Sequence, residues 1–355
     1  MCLPTFAKPG LYEVPTYFAG CPIGTLNRKT KRKKAMENFL NKIINGNSLE
    51  VLKTIPDNSI DCCITSPPYW GLRDYGHEEQ LGSEKHFKDF VINLSNVFDE
   101  VQRVLKPTGT CFINLGDTYA GSGSGTTKNA DTSKYVENSK QVYVLPNGTS
   151  KASQFRGTAM NKSLCMIPER FAIEMIDRGW CLRNQIIWHK PNQMPSSAKD
   201  RFTVDFEKVF FFVKQPTDYY FEQQLEPYTS PMNRWGGDKL DANGESTWDG
   251  GTGQTTYRTR NMRPNEDGKN MRTVWSINTE PSTEAHFATY PQRLVERMLK
   301  AGCPENGIVL DPFFGSGTTG VYARKVNRNF VGIELNPEYV KIAENRLLKE
   351  IGMFL

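Results

Sequence analysis

Short apolar runs alternate with longer amphipathic ones from Ile43 onward, and a chain patterned this way has few means of burying both kinds of face. "IINGNSLEVLKTI" reads as a strand turning into a helix, and "SIDCCIT" reads as the next strand. "HFKDFVINLSNVFDEVQRVL" keeps its apolar residues at helical spacing, after which "KPTG" breaks the helix and "TCFINLG" is a strand. Repeated strand-helix units predict a parallel sheet covered by helices. Such sheets carry their functional residues at the carboxyl ends of the strands.

Two stretches interrupt the pattern. Residues 117–164 dissolve into Gly, Ser, Thr, Asn and Lys ("GSGSGTTKNADTSK"), a polar insertion of the kind that is disordered or ordered only by a ligand. "IPERFAIEMIDRGW" then predicts a helix, and "CLRNQIIWHK" and "EKVFFFVK" predict two strands. Periodicity is lost again over residues 215–272, which are rich in Gly, Asn, Trp and Tyr. The last third restores the alternation. "YPQRLVERMLKAGC" is an amphipathic helix, "GIVLDPFFGSGTTGVYARKV" a strand, Gly-rich turn and helix, "NFVGIEL" a strand, and "PEYVKIAENRLLKEI" a closing helix.

Charge and cysteine content narrow the classes. The net charge of +5 hints at a polyanionic partner, and "NRKTKRKK" concentrates six basic residues in eight, before a possible short helix in "AMENFLNKII". Residues 1–42 therefore read as a basic extension, either an arm for phosphate or a solvated run. Residues 215–272 hold seven Lys/Arg against nine Asp/Glu, so any nucleic acid bound there is read by shape, hydrogen bonding and stacking. No run approaches the roughly 18 to 20 apolar residues that span a bilayer, and no signal peptide is legible, so a cytoplasmic protein without a membrane partner is expected. The eight cysteines form no Cys-x-x-Cys pair, which argues against a zinc site and a disulfide framework.

In "VLDPFFGSGTTG" a buried strand runs into a turn where Gly315 and Gly317 let backbone approach a ligand, followed at once by a helix N-terminus. The spacing is not that of dinucleotide enzymes, and no Lys follows for a phosphate loop. Glu334, at the end of the next strand, can accept both ribose hydroxyls of a nucleoside. A nucleoside site without a pyrophosphate cradle points to S-adenosylmethionine. Phe313, Phe314 and Trp70 offer π faces to its cationic sulfur.

"TSPPYWGLRDYG" ends another strand in a turn far stiffer than a change of direction needs. An exocyclic amine on a nucleobase is a poor nucleophile because its lone pair is delocalised into the ring. Acceptors placed off the ring plane draw the nitrogen toward a tetrahedral shape and free that pair. Ser66 offers a hydroxyl oxygen, Pro67 a backbone carbonyl fixed by Pro68, and Tyr69 a flat face on which an extruded base can stack.

"TSPPYW" together with "DPFFGSGTT" resembles the amino-group DNA methyltransferases that modify cytosine at N4 or adenine at N6. With the catalytic motif preceding the cofactor motif, the chain is similar to the circularly permuted class called beta. The resemblance implies an α/β, Rossmann-like S-adenosylmethionine-dependent methyltransferase fold with a mostly parallel, doubly wound sheet. It implies a catalytic half at 43–214, a target recognition region at 215–272 and a cofactor-binding half at 273–355. It makes Ser66, Pro67, Pro68 and Tyr69 catalytic. Asn47, Thr65, Asp311, Phe313, Gly315, Ser316, Gly317, Thr318, Thr319 and Glu334 become cofactor residues, joined by His286 in "HFATYPQRL", similar to the segment holding the methionine end. "IIWHKPNQMPSSAKDRF" is similar to the segment lining the target-base pocket and nominates Trp188, Lys190, Ser196 and Arg201. Trp70, Arg73, Arg258 and Arg260 complete the candidate DNA contacts.

The chain departs from the family in three places, the first being the 117–164 insertion, which is no constant of the family and reads either as a mobile loop that closes over DNA or as surface. Asn47 stands where many relatives have Asp, and the usual His-Glu pair before "FFFVK" reads Phe206-Glu207. Family usage of Ser in the motif favours cytosine N4, although both bases present an amine beside a ring acceptor. An "NPPY" version of the turn serves methyltransferases of glutamine side chains or RNA, and an inactive DNA-binding homologue is a third reading. Double-stranded DNA is the expected partner, with a cognate restriction endonuclease a further one. Monomer and homodimer both stay open.

Overall fold

The computed structural model describes residues 34–71, 79–120, 162–228, 267–280 and 290–352. In chain order these form β1 (Lys42–Asn45), α1 (Ser48–Thr54), β2 (Ile60–Thr65), α2 (Phe87–Val104) and β3 (Leu105–Leu115). There follow α3 (Ile167–Asp177), β4 (Cys181–His189), β5 (Phe206–Val213), the two-residue β6 (Leu225–Glu226) and β7 (Lys269–Asn270), and β8 (Val274–Ser276). The chain closes with α4 (Gln292–Gly302), β9 (Ile308–Asp311), α5 (Thr318–Lys325), β10 (Asn329–Glu334) and α6 (Pro337–Ile351). The first 33 residues, most of the 117–164 insertion and the centre of the 215–272 region lie outside the described residues.

Eight strands form one sheet in the order β1-β10-β9-β2-β3-β5-β4-β8, and β6 pairs with β7 apart from it. β5 runs antiparallel to both of its neighbours, while every other pair in the large sheet is parallel. The two late strands β9 and β10 are thus inserted between the two earliest, β1 and β2. Residues far apart in sequence share the sheet centre, with Cys62 opposite Val309 and Cys63 opposite Leu310.

Helices cover both faces. Leu52 of α1, Phe90, Leu94, Phe98 and Val101 of α2, and Phe171 and Met175 of α3 fill one layer. Leu294, Met298 and Leu299 of α4, Val321 and Ala323 of α5, and Ala343 and Leu347 of α6 fill the other. A strand between two such layers has no polar face, and β5 shows the consequence. Phe210 and Phe212 point into the first layer, and Val209, Phe211 and Val213 into the second. Phe211 stacks on Phe112 of β3 with ring centroids 4.6 Å apart.

Two local expectations are corrected. "KPTG" does not separate helix from strand, because α2 ends at Val104 and β3 begins at the next residue. Pro107 cannot donate to a ladder, and the β2–β3 register shifts where it sits, between the pairs Ile60–Leu105 and Cys62–Thr110. "AMENFLNKII" does not form the expected helix beyond residues 34–36. Asn41 takes a left-handed backbone (φ 56) and donates its N–H to the Phe330 carbonyl at 2.7 Å, which turns the chain onto the sheet edge beside β10.

Phe314, at the tip of the Gly-rich turn, is held by absence of side chains around it. Its ring stacks on Phe330 (5.4 Å) and lies where a Cβ on Gly332 would come within 2.5 Å and one on Gly320 within 2.6 Å. Gly332→Ala is expected to force this ring off its seat and to destabilise the protein by about 1–3 kcal/mol, the range for overpacking a filled core. Urea unfolding of the variant beside the parent measures it.

Candidate active site

The carboxyl ends of β9 and β2 lie side by side, and one buried carboxylate joins them. Asp311, the last residue of β9, is 1 % exposed and accepts four hydrogen bonds. Thr65 Oγ1, at the end of β2, donates to its Oδ1 at 2.6 Å, as does the Phe313 N–H at 3.1 Å. Thr319 Oγ1 donates to Oδ2 at 2.6 Å, and the Tyr290 hydroxyl shares its one proton between Oδ2, at 3.1 Å, and Thr319 Oγ1. Burial pushes the Asp311 carboxyl above its usual range while the hydrogen bonds pull it back. Burial and the neighbouring Asp311 push the Tyr290 phenol well above its own.

Beyond Asp311 the chain turns sharply. Gly315 (φ 53) and Gly317 (φ 81) both adopt left-handed backbone, and Gly317 caps α5. The Gly315 N–H donates at 2.7 Å to Glu334 Oε2, and the Asn336 N–H donates at 2.9 Å to Glu334 Oε1. Glu334 is 8 % exposed; burial raises its pKa and the backbone donors oppose that rise. Glu334 also lines the cavity beside the turn, where its carboxylate can accept a further hydrogen bond. From α6, Arg346 Nη1 donates to Thr318 Oγ1 (2.9 Å) and Ser316 Oγ (3.2 Å), which ties the turn to the helix behind it.

The cavity, of about 470 Å³, runs from Glu334 and Phe313 to Ser66, Pro67, Pro68 and Tyr69. At that second end Tyr69 is fixed on two sides. A Cβ on Gly116 would lie 2.6 Å from its ring, so the ring rests directly on Gly116 backbone. Its hydroxyl donates to Glu207 Oε2 at 2.6 Å and accepts from Asn114 Nδ2 at 2.8 Å. Asn114 Nδ2 also donates to Glu207 Oε2 (2.7 Å) and lies 3.4 Å from Ser66 Oγ. Lys190 Nζ closes the network on Glu207 Oε1 and stands 4.4 Å above the Trp188 ring. Ser66, Tyr69, Asn114, Glu207 and Lys190 are thus one hydrogen-bonded group at one end of one cavity.

The sequence-predicted residues divide accordingly. Ser66 to Tyr69, Asn47, Phe313, Gly315, Ser316, Thr318, Glu334, Trp188 and Lys190 all border the cavity. Asn47 does so as the cap of α1, its Oδ1 accepting the Leu49 N–H at 3.0 Å. Asp311, Thr65 and Thr319 stand behind the turn and shape it, since their polar atoms are spent on one another. Of the residues read as π faces for a sulfonium, Phe314 packs on Phe330 and is 3 % exposed but still borders the cavity, whereas Trp70 is a core residue. Trp70, also read as a DNA contact, is 2 % exposed, meets Phe87 edge-on at 6.0 Å and donates Nε1–H to the Glu84 carbonyl. Ser196 and Arg201 lie on the exposed β4–β5 connection, with the Arg201 guanidinium 3.6 Å over Tyr119. His286, Arg73, Arg258 and Arg260 fall outside the described residues.

Sequence reasoning missed Asn114, Gly116, Glu207 as a site residue, and Tyr290. Asn114 and Gly116 end the strand "TCFINLG", where the carboxyl-end rule would have found them.

Comparison with known proteins identifies the family and the fold. The family model for N6/N4 DNA methylases matches residues 60–345. The chain belongs to that family. It is 37 % identical over 323 residues to the Type II methyltransferase M.Cfr9I of Citrobacter freundii, covering 91 % of this chain and 92 % of that protein. It is 37 % identical over 309 residues to the Type II methyltransferase M.SmaI of Serratia marcescens, with 87 % and 91 % covered. Among solved structures it resembles the cytosine-N4-specific PvuII DNA methyltransferase, with a TM-score of 0.52 at 20 % identity over 87 % of this chain and 93 % of that one. The TTHA0409 DNA modification methylase of Thermus thermophilus, complexed with S-adenosyl-L-methionine, gives a TM-score of 0.50 at 21 % identity, with 88 % and 96 % covered. These two establish the fold: the Rossmann-like methyltransferase sheet, in permuted order. For this DNA methylase, Gly116→Ala and Glu207→Ala are each expected to tilt Tyr69. Methyl transfer should fall about tenfold to a hundredfold, the cost of misplacing a reacting group by about 1 Å. Steady-state kinetics beside thermal unfolding separates this loss from instability.

Proposed function

We propose that this chain transfers a methyl group from S-adenosylmethionine to the exocyclic amine of a base extruded from double-stranded DNA, with cytosine N4 as the target. The observation that carries this reading is the single cavity with Glu334 at one end and Ser66 and Tyr69 at the other. Its volume is in the range of small-molecule sites. At the cofactor end, a buried acid that can accept a further hydrogen bond suits vicinal hydroxyls. The space over Gly315, where a Cβ would meet no atom nearer than 4.0 Å, suits a ligand lying on bare backbone. The residues therefore fit S-adenosylmethionine, which supplies an electrophilic methyl group when bound.

The chain's own residues do the rest. Glu334 and the Gly315 turn orient the nucleoside, and Phe313 covers its apolar side. Ser66 Oγ and the Pro67 carbonyl accept the two amine hydrogens out of the ring plane, which frees the lone pair for in-line attack. Tyr69, set by Gly116, Asn114 and Glu207, gives the base a stacking face whose angle is fixed before the base arrives. Trp188, held by its Nε1–H donating to the Ile277 carbonyl at 2.8 Å, and Lys190 wall the base pocket. Residues 215–272 are assigned to sequence recognition and the basic residues of 1–42 to the DNA backbone. The Type II relatives support a place beside a cognate restriction endonuclease, and Ser66 in the motif supports cytosine over adenine.

Incubation with radiolabelled S-adenosylmethionine and unmodified DNA, followed by nucleoside analysis, tests the reading. Label in N4-methylcytosine is expected. Label in N6-methyladenine moves the target to adenine, and label on RNA or protein overturns the assignment to DNA.

Two further outcomes separate the ends of the cavity. Tyr69→Ala and Pro67→Ala should abolish turnover while calorimetric S-adenosylmethionine affinity stays within about threefold, whereas Glu334→Ala should weaken that affinity about tenfold or more, as for a lost charged acceptor. Because burial holds the Glu334 carboxyl above the ordinary 4.5, it takes up a proton at a higher pH than an exposed glutamate does. Cofactor affinity should therefore be full above that raised value and decline as pH falls through it. Calorimetry across mildly acidic pH should show this decline in the parent and a flat profile in Glu334→Gln.

A further inference from the structure

The connection between β4 and β5 has a composition that packing does not explain. Residues 190–205 leave the sheet at its active edge, with Lys190 at one root and Glu207 just past the other, both on the cavity wall. Phe202 is 95 % exposed and Met194 81 % exposed, against 45 % for Phe221, 39 % for Phe206 and 37 % for Tyr228. A ring so exposed, on a connection whose two roots line the cavity, is free to meet a partner beside that cavity. The tip is nevertheless held. Asn192 exchanges hydrogen bonds with the Thr279 backbone, accepting its N–H at 2.9 Å and donating to its carbonyl at 3.0 Å. Lys162 pairs with Asp200 at 2.7 Å, Arg201 lies over Tyr119, and the Ser196 N–H donates to Thr203 Oγ1 at 3.1 Å. The ring thus projects from a braced tip, with the exposed cation Lys199 and the basic Arg201 beside it.

We propose that this tip enters the DNA duplex and that the Phe202 ring fills the gap left in the base stack when the target base is drawn into the cavity. The inference rests on the base-extruding reading given above. Extrusion costs a few kcal/mol of stacking and pairing, and an apolar wedge lowers that cost by replacing the lost base face with another. Lys199 and Arg201 would meet the flanking phosphates. The site lies at the position such a wedge needs, because the roots of the tip already border the pocket that receives the base.

The test uses the full chain and a duplex carrying the methylated sequence, once that sequence has been read from labelled genomic DNA. Phe202→Ala should lower kcat/KM on the intact duplex about tenfold to a hundredfold, the equivalent of a few kcal/mol of unstacking. It should leave S-adenosylmethionine affinity unchanged and reduce the fluorescence rise of 2-aminopurine at the target position. Phe202→Trp should retain both signals. On a duplex with an abasic site opposite the target base, where the stack is already open, Phe202→Ala should recover most of its activity. Equal loss on both duplexes would overturn the proposal and make Phe202 a general DNA contact. Parent-like activity and fluorescence in Phe202→Ala would also overturn it, as would a dimer of the parent that Phe202→Ala dissociates without changing either. Absence of any fluorescence rise in the parent would instead sink the base-extruding reading itself, and this inference with it.

Discussion

Everything in the active edge of this sheet is referred to one buried carboxylate. Asp311 takes a hydroxyl from β2, a hydroxyl from α5, a phenol from the segment before α4 and a backbone N–H from its own turn. A buried acid with so many donors tolerates little movement in any of them, because each loss leaves a polar group unpaired in a medium that cannot solvate it. The constraint fixes the distance between two strand ends that the chain reaches 246 residues apart. On one side of that fixed point stands the Gly-rich turn with Glu334, and on the other the proline turn with Ser66 and Tyr69. Their spacing across the cavity is a property of the carboxylate between them.

Much of this was legible in the sequence for physical reasons that can be named. A parallel sheet between helices leaves its strands no polar face, so "IDCCIT" and "FEKVFFFV" announce themselves as apolar runs. A positive φ at Gly315 and Gly317 requires glycine or nearly so, which makes the turn readable letter by letter. The two motifs at the ends of β2 and β9 follow the rule that such sheets present function at carboxyl ends.

What stayed hidden depends on direction and on neighbours. Glu207 sits at the start of its strand, where that rule looks for nothing. β5 runs against the others, so its beginning lies at the edge where the others end. Strand direction is not encoded in an apolar run. Trp70 misled for a related cause: an aromatic beside a functional turn can face either the cavity or the core, and Phe87, which decides between them, is distant in sequence. Asp311 and Thr65 looked like ligand contacts because they flank the motifs. Their hydrogen bonds turn them toward each other.

The strand order carries a consequence for how such a molecule comes into being. β1 lies at the sheet edge beside β10, and β2 beside β9, so the first two strands made are not joined in one sheet until the last two emerge. A nascent chain that has already displayed its proline turn still lacks the glycine turn, the acid that holds both, and the strands that seat them. Pairings of such long sequence separation form late and slowly. Synthesis therefore delivers the molecule inert until β9, α5 and β10 have left the ribosome, and any chain cut short before that point is without a working edge rather than weakly active.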